Sequence, residues 1–323
     1  MTVPVLHETD LFRPHDDPDD HWDLACQFAL ASRGLIDLKG VLIDYPPTQK
    51  HGEPDIAAVA QLSRITGQTV PVAVGLSGAA APKAETELVR WLKETDLPVA
   101  LHVVGSCRDL ARCGQAFPTL FREKVRAVYL NAGAGCEGPF LEYNVALDPE
   151  AYAEVFRLPC PVYWMPCFHQ VSADMQVGEF GTYYRFRQGR VLDRLKPEVQ
   201  NYFLYMLSRR LDFSWLSALE APVDRETLAG FADKDRNMWC TGGFLHAAGY
   251  TVWMDGQIAP LGASPEKEVF AFMPVQVNCE KNGATAWRPG ESSPYPRYLY
   301  QVRDQRVYQE AMTRALETLM SWL

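Results

Sequence analysis

Short apolar runs punctuate the first half of the chain, at residues 3–7, 40–45, 70–74, 99–104, 127–131 and 162–165. Each is rich in Val, Leu or Tyr and lacks polar alternation, which is how a strand buried on both faces reads. Amphipathic stretches of helical length separate them, at 20–32, 56–66, 84–94, 107–117 and 148–156. Strand–helix alternation at roughly 30 residues per unit predicts an α/β fold, an open, mostly parallel sheet flanked by helices. Two helix starts are well marked. Asp148-Pro149-Glu150 supplies an N-cap acid, a proline at the first helical position and an acid in the first turn. Pro18-Asp19-Asp20 opens the first helix, and Ser32-Arg33-Gly34 closes it with a glycine in the C-cap region.

The texture changes from about residue 178. The run FGTYYRFRQG is aromatic and basic, and LKPEVQNYFLYMLSRRL reads as a helix. Residues 269–278 and 298–301 read as later strands, 282–296 as a loop crowded with Pro and Gly, and 304–323 as a closing amphipathic helix. No internal repeat or low-complexity linker interrupts the chain. Residues 1–323 therefore read as a single domain with a helical and loop-rich part from about 178 to 323.

Charge narrows the partners. Forty Asp and Glu against 31 Lys and Arg give a formal net charge of −9, which disfavours nucleic acid and favours a small neutral ligand or a cation. The amino end MTVPVLHETD has neither a basic nor an apolar leader region, and no apolar run approaches the ~18 residues of a membrane span. A cytoplasmic protein without membrane contact is expected. Eight cysteines are scattered without a C-x-x-C pair, so they read as reduced, core-type thiols rather than a zinc ribbon.

The segment with most chemistry follows the first strand. Glu8, Asp10, Asp16, Asp17, Asp19, Asp20 and Asp23 fall within sixteen residues. Ligands of open parallel sheets bind outside the carboxyl ends of the strands. So many like charges repel unless a hard cation neutralises them, and Ca²⁺ or Mg²⁺ prefers carboxylate oxygens. A solvated acidic turn with helix-capping aspartates is the alternative. The loop is no EF-hand, since glycine and a terminal glutamate are missing at the required spacing. A dinucleotide enzyme would need G-x-G-x-x-G in its place, and a phosphatase-like Mg²⁺ enzyme would need more cationic groups than Arg13.

In these residues the sequence resembles the inosine-uridine preferring nucleoside hydrolase family, as a divergent member. That family opens with a strand, D-x-D-x-x-x-D-D and a helix. Glu8-Thr9-Asp10 stands in place of D-x-D and Asp19-Asp20 in place of D-D, with a longer loop between. Glu142-Tyr143-Asn144 followed by Asp148-Pro149-Glu150-Ala151 is similar to the family's E-F-N and D-P-E-A. Val128–Ala134 resembles its strand ending in L-M-G-G, and Val104-Gly105-Ser106-Cys107-Arg108-Asp109 its V-G-P-L-T-N.

The resemblance implies a Rossmann-like topology and Ca²⁺-dependent hydrolysis of the N-glycosidic bond of a ribonucleoside or related N-ribosyl compound, in a cytoplasmic homodimer or homotetramer. It implies Asp10 as general base and metal ligand, Asp20 as the main metal ligand and the Val104 carbonyl as another. Asp19, Glu142 and Asn144 would meet the substrate; Asn131, a further substrate-binding candidate, stands where the family often has methionine, so its role is open. His246 is the candidate acid for the leaving base, because the family often has a His-Asp pair at the start of a helix near here; His15 and His21 are the substitutes. The aspartate of that pair is Ala247 in this reading, so Asp16 or Asp17 from the longer loop would replace it as a ligand. The asparagine that commonly follows the second strand is also missing, in Asp44-Tyr45-Pro46-Pro47-Thr48. These departures keep open a non-catalytic nucleoside- or sugar-binding protein on the same scaffold.

Overall fold

The computed structural model of the chain describes residues 2–47, 52–78, 82, 85–138, 140–172, 175–292 and 294–323. Nine strands form the central sheet: β1 (Val3–Thr9), β2 (Ile36–Ile43), β3 (Val72–Val74), β4 (Val99–Val103), β5 (Val125–Asn131), β6 (Val162–Met165), β7 (Phe270–Cys279), β8 (Thr285–Pro289) and β9 (Arg297–Val302). Their order across the sheet is β8-β7-β9-β6-β5-β4-β1-β2-β3. The seven strands from β9 to β3 run parallel to their neighbours. At the far edge β7 pairs antiparallel with both β9 and β8.

Each strand feeds two apolar layers because successive side chains point to opposite faces. On β1, Val5 joins the layer that contains the helices Asp19–Ser32, Pro197–Leu207, Thr241–Ala247 and Gln305–Met320. Leu6 joins the layer with Glu87–Glu94, Arg108–Ala116 and Pro149–Val155. Burial on both faces is why the strands read as continuous apolar runs. The first helix ends where expected: Gly34, with φ +67°, takes the left-handed position after the C-cap Arg33. Asp148 caps Pro149–Val155 by accepting from the Ala151 amide.

Two expectations shift. The helix placed at 84–94 begins at Glu87, with Thr86 accepting from the Val89 amide as its N-cap; Ala84 and Thr48 lie outside the described residues. The stretch 282–296 is not all loop, since it contains β8, which pairs with β7 from Cys279↔Thr285 onward. Gly283, at φ +85°, makes the turn, and Pro289 is tolerated because β8 is an edge strand.

The chain moves outward from β1 in both directions, through β2 and β3 one way and β4, β5 and β6 the other. The crevice at such a reversal, outside the carboxyl ends of β1 and β4, is where open α/β sheets place ligands. Among the described residues no helix is long and apolar enough to cross a membrane.

Candidate functional site

A pocket of about 480 Å³ opens at that crevice. Asp10, Asp17, Asp19, Asp20, Val104, Asn131, Glu142 and Asn144 all line it. They arrive from six places: the end of β1, the long acidic loop, the first turn of Asp19–Ser32, the end of β4, the end of β5, and the start of the short helix Tyr143–Leu147. The extended loop contributes Asp17 but not Asp16, whose carboxylate lies 3.7 Å from the Arg209 guanidinium.

The floor is tightly specified. Thr9 Oγ1 donates to Asp20 Oδ1 at 3.0 Å and thereby ties β1 to the first helix. A Cβ at Gly105 would fall 2.6 Å from Asp44 Oδ2 and 2.7 Å from the Asp10 amide nitrogen, so only glycine lets this turn pass against β1. Asp44 stands where the resembled family has asparagine. It is buried beside the pocket rather than in its lining, and accepts from the Ser106 amide at 2.6 Å.

Glu142 N-caps its helix. Oε1 accepts from the Asn144 amide at 2.9 Å, and Oε2 accepts from Gly133 and Val145. Asn144 Nδ2 donates to the Val104 carbonyl at 3.1 Å and the Asn131 carbonyl at 3.3 Å. Both amide hydrogens are then spoken for, which leaves Oδ1 as the polar atom available to a ligand. Asn131 is saturated: Nδ2 donates to Met165 O and Thr182 Oγ1, and Oδ1 accepts from the thiols of Cys167 and Cys240. Its expected contact with substrate is corrected to a wall position, because its amide has no donor left for a sugar hydroxyl.

Asp10, Asp19 and Asp20 are each at most 8% exposed. Burial raises Asp20 well above the ordinary carboxylate range, and the charge of Asp10 raises it further. Asp19 is raised in the same way, by burial and then by Asp17. Its Oδ1 is buried without a hydrogen-bond partner among the described residues. Carboxylates so placed hold protons or a cation. An all-oxygen set of Asp10, Asp20 and the Val104 carbonyl, with Asp17 at the rim, fits a hard divalent ion. The described residues also hold a tighter acidic group, Glu8, Asp44 and Asp109, whose ligand atoms lie within 4.8 Å of one another. No three acids of the pocket reach that spacing.

His246 is not brought to the pocket, and its expected role is corrected. The helix starts at Thr241, so His246 falls in its last turn. Its Nδ1 lies 2.9 Å from the Tyr129 hydroxyl. The cavity beside it is lined by Val3, Ala100, Arg126 and Pro161, which lie toward the amino ends of the strands. Burial also lowers its pKa to about 4, so at neutral pH it is the neutral imidazole and not the imidazolium that a general acid needs. His15 and His21 do not line the pocket either, and His21 Nε2 is paired with Asp55 at 3.0 Å. We predict that His246→Ala leaves the ratio of kcat/KM between a nitrophenyl riboside and a natural nucleoside unchanged. A loss confined to the natural nucleoside would restore His246 as the acid.

The two residues before this helix, Trp239 and Cys240, both line the pocket. The sequence signal for this helix start is weak, because Cys240 makes no side-chain cap. Also unforeseen is an apolar wall of Phe140, Leu141, Phe168, Met175 and Trp239 facing the acidic floor. Its residues come from separate loops with no shared motif. The eight cysteines are all unbridged and seven are buried.

No family profile matches the chain. Over 99 residues it is 32% identical to the pyrimidine-specific ribonucleoside hydrolase RihA of Enterobacter sp. (strain 638). That stretch spans 27% of this chain and 32% of the relative, about a third of the relative's length. In fold the chain is similar to the purine-preferring ribonucleoside hydrolase from Gardnerella vaginalis, with TM-score 0.53 and 14% identity over 98% of this chain and 99% of that one. It is also similar to the type III effector protein XopQ complexed with adenosine diphosphate ribose, with TM-score 0.52 and 13% identity over 99% of this chain and 95% of that one. The fold is that of the nucleoside hydrolases.

Proposed function

We propose that this chain, a divergent relative within the nucleoside hydrolase family, hydrolyses the N-glycosidic bond of a ribonucleoside or a related N-ribosyl compound. The observation that carries the reading is the convergence of Asp10, Asp19, Asp20, the Val104 carbonyl, Glu142 and Asn144 on one pocket opposite an aromatic wall. Breaking the bond builds positive charge on the sugar ring, and a carboxylate floor stabilises it. A divalent ion held by Asp10, Asp20 and Val104, with Asp17 in support, would supply an oriented water of lowered pKa, and Ca²⁺ suits the all-oxygen set. Asp10 takes the proton of the attacking water. Asp19 and Asn144 Oδ1 accept from sugar hydroxyls. Glu142 positions Asn144 and keeps a lone pair on Oε1 for the ligand. The base lies against Phe168 and Trp239, and with no histidine among the described residues of the lining its departure depends on its own acidity.

The test is release of reducing sugar from purine and pyrimidine ribonucleosides and a nitrophenyl riboside, with Ca²⁺ and with chelator. Turnover that needs Ca²⁺ supports the reading. A second reading is favoured by the absence of the expected aspartate, Ala247 in its place: a protein that binds a nucleoside or sugar without turnover. Binding by calorimetry with no sugar release from any substrate would establish that reading instead. Cytoplasmic location, assembly as a homodimer or homotetramer, and action of residues 1–323 as one domain belong to the same proposal.

A further inference from the structure

We propose that Glu8, Asp44 and Asp109 form a second divalent-cation site, on the opposite face of β1 from Asp20. Alternation along β1 separates Glu8 from Asp20. Thr9 points to the first helix and donates to Asp20. Glu8, one residue back, points with Leu6 toward the helix Arg108–Ala116, and there it meets Asp109 and the Asp44 that follows β2.

The ligand atoms of the three carboxylates lie within 4.8 Å of one another. Two oxygens on one Ca²⁺, each at roughly 2.3–2.6 Å, stand no more than about 5 Å apart. All three side chains are buried, at 5%, 2% and 2% exposure. Glu8 Oε1 and Asp44 Oδ1 are buried and have no hydrogen-bond partner among the described residues. An orphaned carboxylate oxygen is costly in a protein interior, and two of them in one cluster call for a shared positive charge.

The nearest guanidinium does not supply it. Arg108 is turned to the carbonyls of Leu76 and Leu147 and to Asp148, 3.5 Å away. The other carboxylate oxygens are held in place. Asp44 Oδ2 accepts from the Ser106 amide at 2.6 Å, and the Leu76 amide lies 3.0 Å from both oxygens of Asp109. A pre-oriented, oxygen-only set of this kind is the donor chemistry of Ca²⁺, Mg²⁺ or Mn²⁺. A cavity of about 430 Å³ is lined by Tyr45, Ser77 and Arg108, the chain neighbours of Asp44, Leu76 and Asp109. An ion there would clamp the ends of β1 and β2 to the helix behind them.

This inference goes beyond the hydrolase reading and does not need it. The experiment is titration of the chelator-stripped full chain with Mn²⁺, free ion counted by paramagnetic resonance, and with Ca²⁺ by calorimetry. Wild type is expected to bind two equivalents, Asp109→Asn one, Asp20→Asn one, and the double variant none. Asp44→Asn, expected to bind one, serves where Asp109→Asn does not fold. A wild type that binds no ion, or a single equivalent that Asp20→Asn abolishes and Asp109→Asn keeps, overturns the proposal. So do Asp109→Asn and Asp44→Asn variants that still bind two. A single equivalent lost in Asp109→Asn but kept in Asp20→Asn supports this site and sinks the ion in the pocket instead.

Discussion

Asp10→Asn lowers kcat by roughly 10²–10⁴-fold, the cost of losing a general base. The amide keeps the shape of the carboxylate but accepts no proton at neutral pH, and it removes one negative charge from the ion's donors. Added Ca²⁺ therefore recovers whatever part of the loss reflects weakened metal binding, and the loss in kcat persists at saturation. Steady-state sugar release across a Ca²⁺ series separates the two. A variant that matches wild type at saturating Ca²⁺ would remove Asp10 from the chemistry. Attention would then move to Asp17 and Asp19, two further carboxylates that line the pocket.

Asp20→Ala abolishes divalent-ion binding at the pocket, read as one equivalent lost in calorimetry at millimolar Ca²⁺. The same variant behaves differently in chelator. Asp20 is buried and its pKa lies well above the ordinary 3.8. A carboxyl with a raised folded-state pKa contributes stability that is present below 3.8 and lost as pH rises through the folded value, because the unfolded chain gives up its proton first. Stripped wild type should therefore lose thermal stability as pH rises from about 4 toward neutrality. Asp20→Ala should soften that slope while it forfeits the stabilisation that a bound ion supplies, about 2.7 kcal/mol at a hundred times Kd. Equal slopes for the two proteins in chelator would show that Asp20 carries no strained charge. An undiminished Ca²⁺ equivalent in the variant would take Asp20 out of the ion's ligands.

The order of strands and helices was open to reading from the chain because parallel strands buried on both faces must be apolar throughout. The helix start at Asp148 announced itself by local capping chemistry and the one at Pro18 by two acids in the first turn, both of which depend on a few adjacent residues. The acidic loop drew attention for a similar reason: its charges are neighbours in sequence, and a strand end is where a parallel sheet exposes its ligands. The Glu142–Asn144 pair is equally local, since Glu142 caps the helix that carries Asn144. What the chain could not show was which strands pair. The reversal between β1 and β4 is a choice among distant partners, and it alone brings Asp10 and Val104 to one crevice.

The same limit accounts for the errors. His246 and Cys240 are six residues apart, yet Cys240 lines the pocket and His246 does not, because the helix between them leads away from the pocket to Tyr129. A histidine near an expected motif looks identical in sequence wherever the helix begins. β8 hid in a Pro- and Gly-rich stretch because its pairing with β7, rather than its own composition, makes it a strand. The group of Glu8, Asp44 and Asp109 draws one residue from each of three elements and has no spacing to recognise. Local patterning thus determined which elements form and which residues carry charge. Only the tertiary structure decided which charges share a face, because that depends on strand order and on the alternation of side chains across β1.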